Sequence, residues 1–383
     1  MNLTQIKYSS LTDTYVNTGA TQTRNSDKVW CKMFFPKKAS IIVPGNIAII
    51  RENWNLKYSA CFILCSIPPN PDVPESVSII SDEKNAHKSS NFLPVLHSKS
   101  GGTGTFEVNS DEIGVCVKPM HYHYNKTLEL VEFLELNQLL GVTKFTFYSH
   151  TISEHVGCIL KHYEQLGIVE VLPWDLDIQS QKEIRTEGIF AALNDCLYRN
   201  MNSFKYLMLT DFDEFIVPHS MNTTSIPQML KHVEENSQKK GQTSTTSASA
   251  YYFQNAFFYL QFPDDSEAKY NLRVLQKTRR KTMFNPQRQR SKYICIPRNI
   301  KEVGNHFIWE FFRGSSLNVP TKLGYLHHYR ICEFGGDDCV KAENHVDRTM
   351  FSFQDELFNR VKNVLLELSL KCKLDYLKVP LGI

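Results

Sequence analysis

What the chain lacks narrows its reading first. Its 383 residues contain no apolar run of the roughly 18 or more residues that a membrane-spanning helix takes. The nearest stretch, Ile41 to Ile50, is interrupted by Pro44, Gly45 and Asn46. Met1 to Ala20 has no basic segment followed by an apolar core, so it does not read as a secretory signal peptide. As written, the expectation is a soluble chain. A net charge of only +3 leaves no global nucleic-acid footprint. Neither GxxxxGK(S/T) nor GxGxxG occurs, which counts against a phosphotransferase or nucleotidyltransferase built on a glycine-rich phosphate loop. Zinc-type spacing is missing as well, since Cys61-x3-Cys65 has no second pair nearby.

What is present is the composition of a folded protein, 42% hydrophobic and 12% aromatic, long enough for one large or two moderate domains. The ten cysteines fit several disulfides in a secretory compartment, and buried free thiols are the other ordinary use. Sequons at Asn2, Asn125 and Asn222 lean toward a lumenal location.

Residues 1 to 112 read as short strands and turns, with Ile41–Val43 and Ile47–Ile50 flanking a Pro-Gly-Asn turn and a further apolar run at Tyr58–Ile67. Prolines between Ser66 and Glu75 and the Ser/Gly/Thr tract at Ser98–Thr105 mark a loop-like boundary. No convergent catalytic group is visible here, so a β-rich accessory region is expected.

From Glu112 strands and helices alternate. Strands are expected at Ile113–Val117, Lys144–Tyr148, Ile168–Leu172 and Lys205–Thr210, with helices at Leu128–Leu140, Glu154–Leu166 and Glu183–Asn200. Thr127 is placed to cap the first helix, and Gly141 and Gly167 to end the first two. Glu129, Glu132 and Glu135 form the polar stripe of an otherwise apolar first helix. This alternation predicts a parallel α/β sheet with right-handed crossovers. A helix follows at Ile226–Glu235, then a low-complexity loop at Asn236–Ala250 and an aromatic strand at Tyr251–Phe262. Arg273 to Lys292 carries eight basic residues and no acid; it reads as a solvated face, a nucleic-acid patch or a partner for pyrophosphate. A last helix spans Asp355–Leu370, with Leu357, Val361, Val364, Leu365 and Leu368 at core spacing.

The chemistry concentrates where the fourth strand ends. Tyr206 to Leu209 is apolar without alternation, as in a strand buried on both faces, and it stops at Asp211-Phe212-Asp213-Glu214. Ligands of open α/β sheets sit at the carboxyl ends of strands. Asp211 and Asp213 are two residues apart, close enough to reach one cation, and hard oxygen ligands suit Mg²⁺ or Mn²⁺. The plain alternative is a solvated loop in which Asp211 caps the next helix.

The chain resembles glycosyltransferase family 92, a group that includes metazoan galactosyltransferases. The segments that carry the resemblance run in order: Cys116 to Pro119, Leu134-Glu135 with Gly141-Val142, Val169 to Trp174, Ala192 to Leu197, and Asp211 to Ile216. They continue with Lys292 to Pro297, His306, His328-Tyr329-Arg330 and Val346-Asp347, covering about residues 112 to 370. The resemblance implies a GT-A-type α/β fold, a mixed and mainly parallel sheet flanked by helices, with the β-rich accessory region at 1–112. The glycosyltransferase domain would cover 113–372, with a nucleotide-sugar half at 113–220 and an acceptor half at 221–372.

It also implies an activity: metal-dependent inverting transfer of galactose from UDP-galactose to a glycan or glycoprotein acceptor, in the manner of a beta-1,4-galactosyltransferase. A divalent cation, Mn²⁺ or Mg²⁺, would stabilise the charge that develops on the departing diphosphate. The implied metal residues are Asp211, Asp213 and His328, with Asp213 the direct ligand, Asp211 facing the ribose or a metal-bound water, and Glu214 bracing the loop. Asn194, Asp195, Asp211, Lys292, His306 and Arg330 would face the nucleotide sugar. Inversion needs one general base, for which Asp264, Asp265, Glu310, Asp337 and Asp338 are the candidates and spacing does not choose. Location in the Golgi or another secretory lumen follows, although the membrane anchor of family members is absent from this sequence. Phe257 to Asp264 departs from the family's acceptor loop. The competing reading is a lectin-like relative that binds glycan without transfer.

Overall fold

A computed structural model describes residues 6–9, 14–66, 73–89, 91–96, 112–178, 180–221, 223–239, 248–333, 338–377 and 381–382. The sequons at Asn2 and Asn222, the Ser98–Thr105 tract and Asp337 lie outside the described residues. The protein is mixed α/β and divides into two compact units that interleave along the chain. The first comprises 1–110, 174–205 and 297–312; the second comprises 111–173, 206–296 and 313–383. Two segments that the sequence assigns to one continuous 113–372 domain thus group with the N-terminal residues.

The first unit opens with seven strands: β1 (Ile6–Ser9), β2 (Thr14–Gln22), β3 (Val29–Phe34), β4 (Ile41–Ile49), β5 (Tyr58–Ser66), β6 (Ser76–Ile80) and β7 (Leu93–Leu96). They form a closed barrel in the order β1-β2-β5-β4-β3-β6-β7, which leaves no open sheet edge. Alternate residues of β3 turn inward, so Val29, Cys31 and Met33 join Tyr15, Ile63 and Val77 in its core. Cys31 and Cys65 are joined there by a disulfide. The expected turn at Pro44-Gly45-Asn46 is instead continuous strand. Pairing of β4 with β5 begins only at Gly45, so no ladder to β5 needs the N–H that Pro44 lacks. Gly45 is required because a Cβ there would meet Val29 Cγ2 at 2.9 Å.

In the second unit, β8 (Ile113–Val117), α1 (Thr127–Leu139), β9 (Lys144–Ser149), α2 (Glu154–Gln165) and β10 (Val169–Pro173) alternate as the sequence predicts. The chain then contributes α3 (Ile189–Asn200) to the first unit and returns with β11 (Tyr206–Thr210), β12 (Glu214–Pro218) and α4 (Ile226–Lys239). Next come β13 (Ala248–Phe253), β14 (Asn255–Tyr259), α5 (Arg273–Gln276), β15 (Arg279–Lys281) and β16 (Lys292–Cys295). β17 (Ile300–Val303) and β18 (Ile308–Phe311) pair antiparallel in the first unit. β19 (Ser315–Asn318), β20 (Gly324–Arg330), α6 (Asp338–Lys341), β21 (Asn344–Val346) and α7 (Gln354–Leu368) complete the second.

The main sheet has the order β10-β9-β8-β11-β16-β13-β19. β10, β9, β8 and β11 are parallel, β16 runs antiparallel to both β11 and β13, and β19 is parallel to β13. Six of its seven strands therefore run the same way and β16 alone is reversed, so the expectation of a mixed, mainly parallel sheet describes this sheet, whereas over all the described residues antiparallel pairing prevails. Parallel neighbours need long crossovers, and the regular strand–helix alternation that supplies them ends at Thr210. A three-stranded sheet, β12-β20-β14, lies in the same unit.

Three local expectations are corrected. Thr127 does not cap α1 through its side chain; its hydroxyl donates to the Asn125 carbonyl at 3.2 Å, and Gly141 supplies the positive φ of +99° beyond the other end. Glu132 and Glu135 are not a solvated stripe but are 1% and 6% exposed. Glu132 accepts the backbone N–H of Val274 at 2.8 Å and that of Arg273 at 3.3 Å, and Glu135 accepts from the Tyr163 hydroxyl at 2.5 Å. Buried carboxylates survive where such donors meet them. Finally, Tyr251–Phe262 is two strands in two sheets, β13 and β14, separated by Gln254.

Candidate active site at the end of β11

Register assembles this site. β8 and β11 run parallel with Val117 level with Thr210, so the residues that follow, Lys118 and Asp211, emerge side by side. On the other flank β16 pairs Tyr293 with Leu209, which brings Lys292 opposite the end of β11. The chain then turns tightly, with Glu214 N–H donating to the Asp211 carbonyl at 3.2 Å. It enters β12, where Glu214 pairs across the ladder with His328 on β20. β14 lies on the far side of β20 and sets Phe257 level with His328.

Phe212 is the anchor of the turn. Its ring stacks on Tyr124 at 4.8 Å and on Phe147 at 5.7 Å, and meets the edge of Phe133 at 5.3 Å. Its carbonyl accepts from the Arg273 guanidinium at 3.2 Å. With Phe212 fixed in the core, the carboxylates on either side of it are held at the sheet end.

Charge is balanced unevenly around them. Lys118 bonds Asp211 Oδ2 directly, and Lys292 Nζ lies 3.6 Å from the same oxygen and 3.2 Å from Glu214 Oε2. Lys292 is 1% exposed and Glu214 is fully buried. Glu214 braces the turn by accepting the Asp211 N–H at 3.1 Å. Asp213 is the more open acid, its side chain 35% exposed, with Oδ2 3.5 Å from His328 Nε2.

Burial opposes ionisation of Asp211, yet Lys118 and Lys292 hold it well below the usual carboxylate range. Burial likewise opposes Asp213, and His328 outweighs it. For Glu214 burial wins over Lys292, and its pKa is raised. Burial would discharge Lys292, but Asp211 and Glu214 keep it protonated beyond its ordinary range.

His328 is oriented from behind. Asn285 Nδ2 donates to Asn255 Oδ1 at 2.7 Å, which leaves Asn255 Nδ2 facing His328 Nδ1 at 2.9 Å. Glu214 Oε1 also lies 3.3 Å from that nitrogen. The His328 Nε2 edge is thereby directed to Asp213.

The donor set fits a hard divalent cation. Asp211 Oδ1 is buried without a hydrogen-bond partner, a costly state that a cation would relieve. Asp213 Oδ2 and His328 Nε2 lie 3.5 Å apart beside it, and an Asp, Asp, His donor set is of a kind suited to Mn²⁺ or Mg²⁺, although the three ligating atoms are not all drawn within 4.8 Å of one another.

Of the other residues that the sequence singles out, Arg330 lies two positions beyond His328 on β20. Its guanidinium is 5.6 Å from the centroid of Phe257 and pairs with Glu333. Asn194 and Asp195 belong to the first unit and are engaged there. Asn194 bonds both backbone groups of Val303, at 2.9 and 3.0 Å, and Asp195 pairs with Arg199 at 3.1 Å. His306, also in the first unit, faces the Asn305 amide at 3.1 Å.

Four of the base candidates are ion-paired. Asp264 meets Lys277 at 2.6 Å, Asp265 meets Arg348 at 2.8 Å, Asp338 meets Lys341 at 3.6 Å, and Glu310 meets Lys301 at 2.7 Å and Arg51. Glu310 belongs to the first unit.

Sequence reasoning did not single out Lys118, Asn255 or Asn285, and it met Arg290, whose guanidinium is 5.9 Å from the Phe257 centroid, only as one of the eight cations of the basic run. The position of Lys118 was a usable signal, because it follows the strand next to β11 at the same carboxyl edge.

Residues 111–370 match the profile of Glycosyltransferase family 92. Among curated proteins, Beta-1,4-galactosyltransferase galt-1 of Caenorhabditis elegans is 25% identical over 170 residues, 44% of this chain and 40% of that protein. Galactan beta-1,4-galactosyltransferase GALS2 of Arabidopsis thaliana is 28% identical over 189 residues, 46% of this chain and 32% of that protein. The chain thus spans less than half the length of these relatives. Among solved structures, S. aureus TarS 1-349 aligns at 11% identity over 67% of this chain and 65% of that one, with a TM-score of 0.28, too slight a likeness to carry weight. With the profile match reaching from just before β8 to just past α7, the chain belongs to glycosyltransferase family 92.

Proposed function

We propose that this protein is a metal-dependent glycosyltransferase of GT-A type that transfers galactose from UDP-galactose to a glycan acceptor with inversion. The observation that carries this reading is the pairing of the Asp211–Asp213 turn with His328 across one ladder position, at the carboxyl end of a strand in a parallel run. The parallel order β10-β9-β8-β11, followed by antiparallel β16, supports the GT-A assignment. The names of both curated relatives support galactose as the transferred sugar.

Asp213, Asp211 and His328 would hold Mn²⁺ or Mg²⁺, which supplies positive charge for the diphosphate leaving group. The chain's own cations do related work. Lys118 and Lys292 keep Asp211 ionised, so the carboxylate is ready to accept from a metal-bound water or a ribose hydroxyl. Arg330 and Arg290, both near Phe257, give a cationic rim with bidentate donors for phosphate oxygens. Inversion requires a base to take the acceptor hydroxyl proton, and no described candidate is singled out, since each is tied to a cation. The disulfides Cys31–Cys65, Cys158–Cys372 and Cys332–Cys339 support an oxidising compartment, which we propose is the Golgi or another secretory lumen.

Thermal unfolding with UDP-galactose, with and without Mn²⁺, tests the reading. Ligand well above its dissociation constant should add about 2 to 4 kcal/mol of stability, and only with the metal. Stabilisation by free galactosides with no response to any nucleotide sugar would instead make the protein a glycan-binding relative without transfer.

A further inference from the structure

β20 carries two adjacent histidines, which point to opposite faces of its sheet. His328 serves the site described above. His327, fully buried, faces His219, the residue after β12, and Asp347, the residue after β21. One ligating atom from each of the three lies within 4.8 Å of the other two, and the Nε2 atoms of His219 and His327 are 2.8 Å apart.

The surrounding hydroxyls turn those nitrogens inward. Thr349 Oγ1 spends its single hydrogen on Asp347 Oδ1 at 2.7 Å, so toward His219 Nδ1, at 3.2 Å, it acts as acceptor. His219 therefore carries its proton on Nδ1 and aims the Nε2 lone pair at His327. On the other side, the Tyr329 hydroxyl is 3.2 Å from His327 Nδ1 and 3.5 Å from the Val274 carbonyl. When Tyr329 donates to that carbonyl, it accepts from His327 Nδ1, and the second Nε2 lone pair also faces inward. Two lone pairs at this separation require a positive centre between them, either a proton or a metal ion. The Asp347 carboxylate within reach of both nitrogens offers a third ligand, which a metal ion would use and a shared proton would not.

We propose that His219, His327 and Asp347 form a second metal site, suited to Zn²⁺, distinct from the Asp211–Asp213–His328 group. Two imidazoles and one carboxylate with a fourth position open are a donor set that zinc accepts. Tetrahedral Zn–N bonds of about 2.0–2.1 Å place the two nitrogens roughly 3.3 Å apart, so the pair opens by about half an ångström on binding. Half-buried His219, at a strand end, supplies that movement. Arg280 lies 3.4 Å from Asp347 Oδ2, and the Tyr325 hydroxyl donates to the same oxygen, so the carboxylate is oriented and its charge tempered. The ion would staple β12, β20 and the segment after β21, fixing the register of the strand that carries His328.

The test uses Zn²⁺ alone on the full chain, stripped by chelator and dialysed to equilibrium, with bound metal read by elemental analysis. Asp213→Ala removes the first site from the count and should retain about one equivalent of zinc. Asp213→Ala/His219→Gln should retain none, and Zn²⁺ should raise the melting temperature of the first variant but not the second. Asp347→Asn replaces His219→Gln if that side chain proves necessary for folding. Zinc-free Asp213→Ala protein would overturn the proposal in favour of a proton shared by two imidazoles. Undiminished zinc in both His219→Gln and Asp347→Asn backgrounds would overturn it equally. No readout involves sugar transfer, so this result stands apart from the proposed activity.

Discussion

Glu214 and His328 are ladder partners, and the buried carboxylate of one lies 3.3 Å from Nδ1 of the other. Asn255 Nδ2 faces the same nitrogen at 2.9 Å, so Nδ1 is held from behind and the plane of the ring is fixed. The far nitrogen here faces Asp213.

Asp213→Ala should therefore remove transfer activity while leaving the fold intact. The side chain is partly exposed at a strand end, and no core contact depends on it. A loss of about 10²-fold or more in kcat is expected, the scale of deleting one group that stabilises developing charge. Release of UDP from UDP-galactose, measured at saturating Mn²⁺, is the check; full activity there would remove Asp213 from the metal set.

Lys292→Met should be far more damaging to stability than its single charge suggests. It leaves the fully buried Glu214 without its cation, while Asp211 keeps Lys118, and breaking a buried pair in this way costs about 3–5 kcal/mol. Urea unfolding of the variant reads the loss. Adding Glu214→Gln to it should recover part of the stability, because the stranded charge is then gone.

Asp265 gives a signed pH dependence. Hydrogen bonds from Arg348, at 2.8 and 2.9 Å, and from Thr278, at 2.6 Å, hold its carboxyl well below the usual range. A depressed folded-state pKa stabilises the protein above the unfolded value, about 3.9, and that contribution is lost as pH falls further. Arg348 is 47% exposed, so solvent screening limits the effect to on the order of 1 kcal/mol. Asp265→Asn should show a shallower fall in urea midpoint below pH 4 than the unaltered protein.

The disulfides should differ in weight. Cys158–Cys372 closes a separation of 214 residues, tying α2 to the end of the chain, whereas Cys332–Cys339 closes only 7. Chain-entropy arguments give the longer loop the larger share, within the usual range of about 2–4 kcal/mol. The double serine variant of the first pair should melt well below that of the second.

The sequence made the parallel half of the main sheet legible because its signals are local. Unbroken apolar runs at Ile113–Val117 and Tyr206–Thr210, and glycines just past the ends of α1 and α2, mark strand and helix limits without reference to distant residues. The acidic turn was visible for the same reason. What escaped depends on contacts far along the chain. Glu132 looks like a surface residue until the backbone of Val274 is brought to it, 142 positions away. Lys118 reads as the end of a strand until β11 pairs beside β8. Nothing within Tyr251–Phe262 announces the sheet change at Gln254, since both halves are equally aromatic. Nor does the sequence around 174–205 or 297–312 disclose which compact unit claims it.

That crossing at Gln254 has a mechanical consequence. Phe253 is the ladder partner of Lys292, and Asn255, two residues later, holds His328. The ammonium and the imidazole that flank the acidic turn are thus both supported from one short piece of backbone. A substitution that shifts that piece would therefore reach the acidic turn from both sides at once.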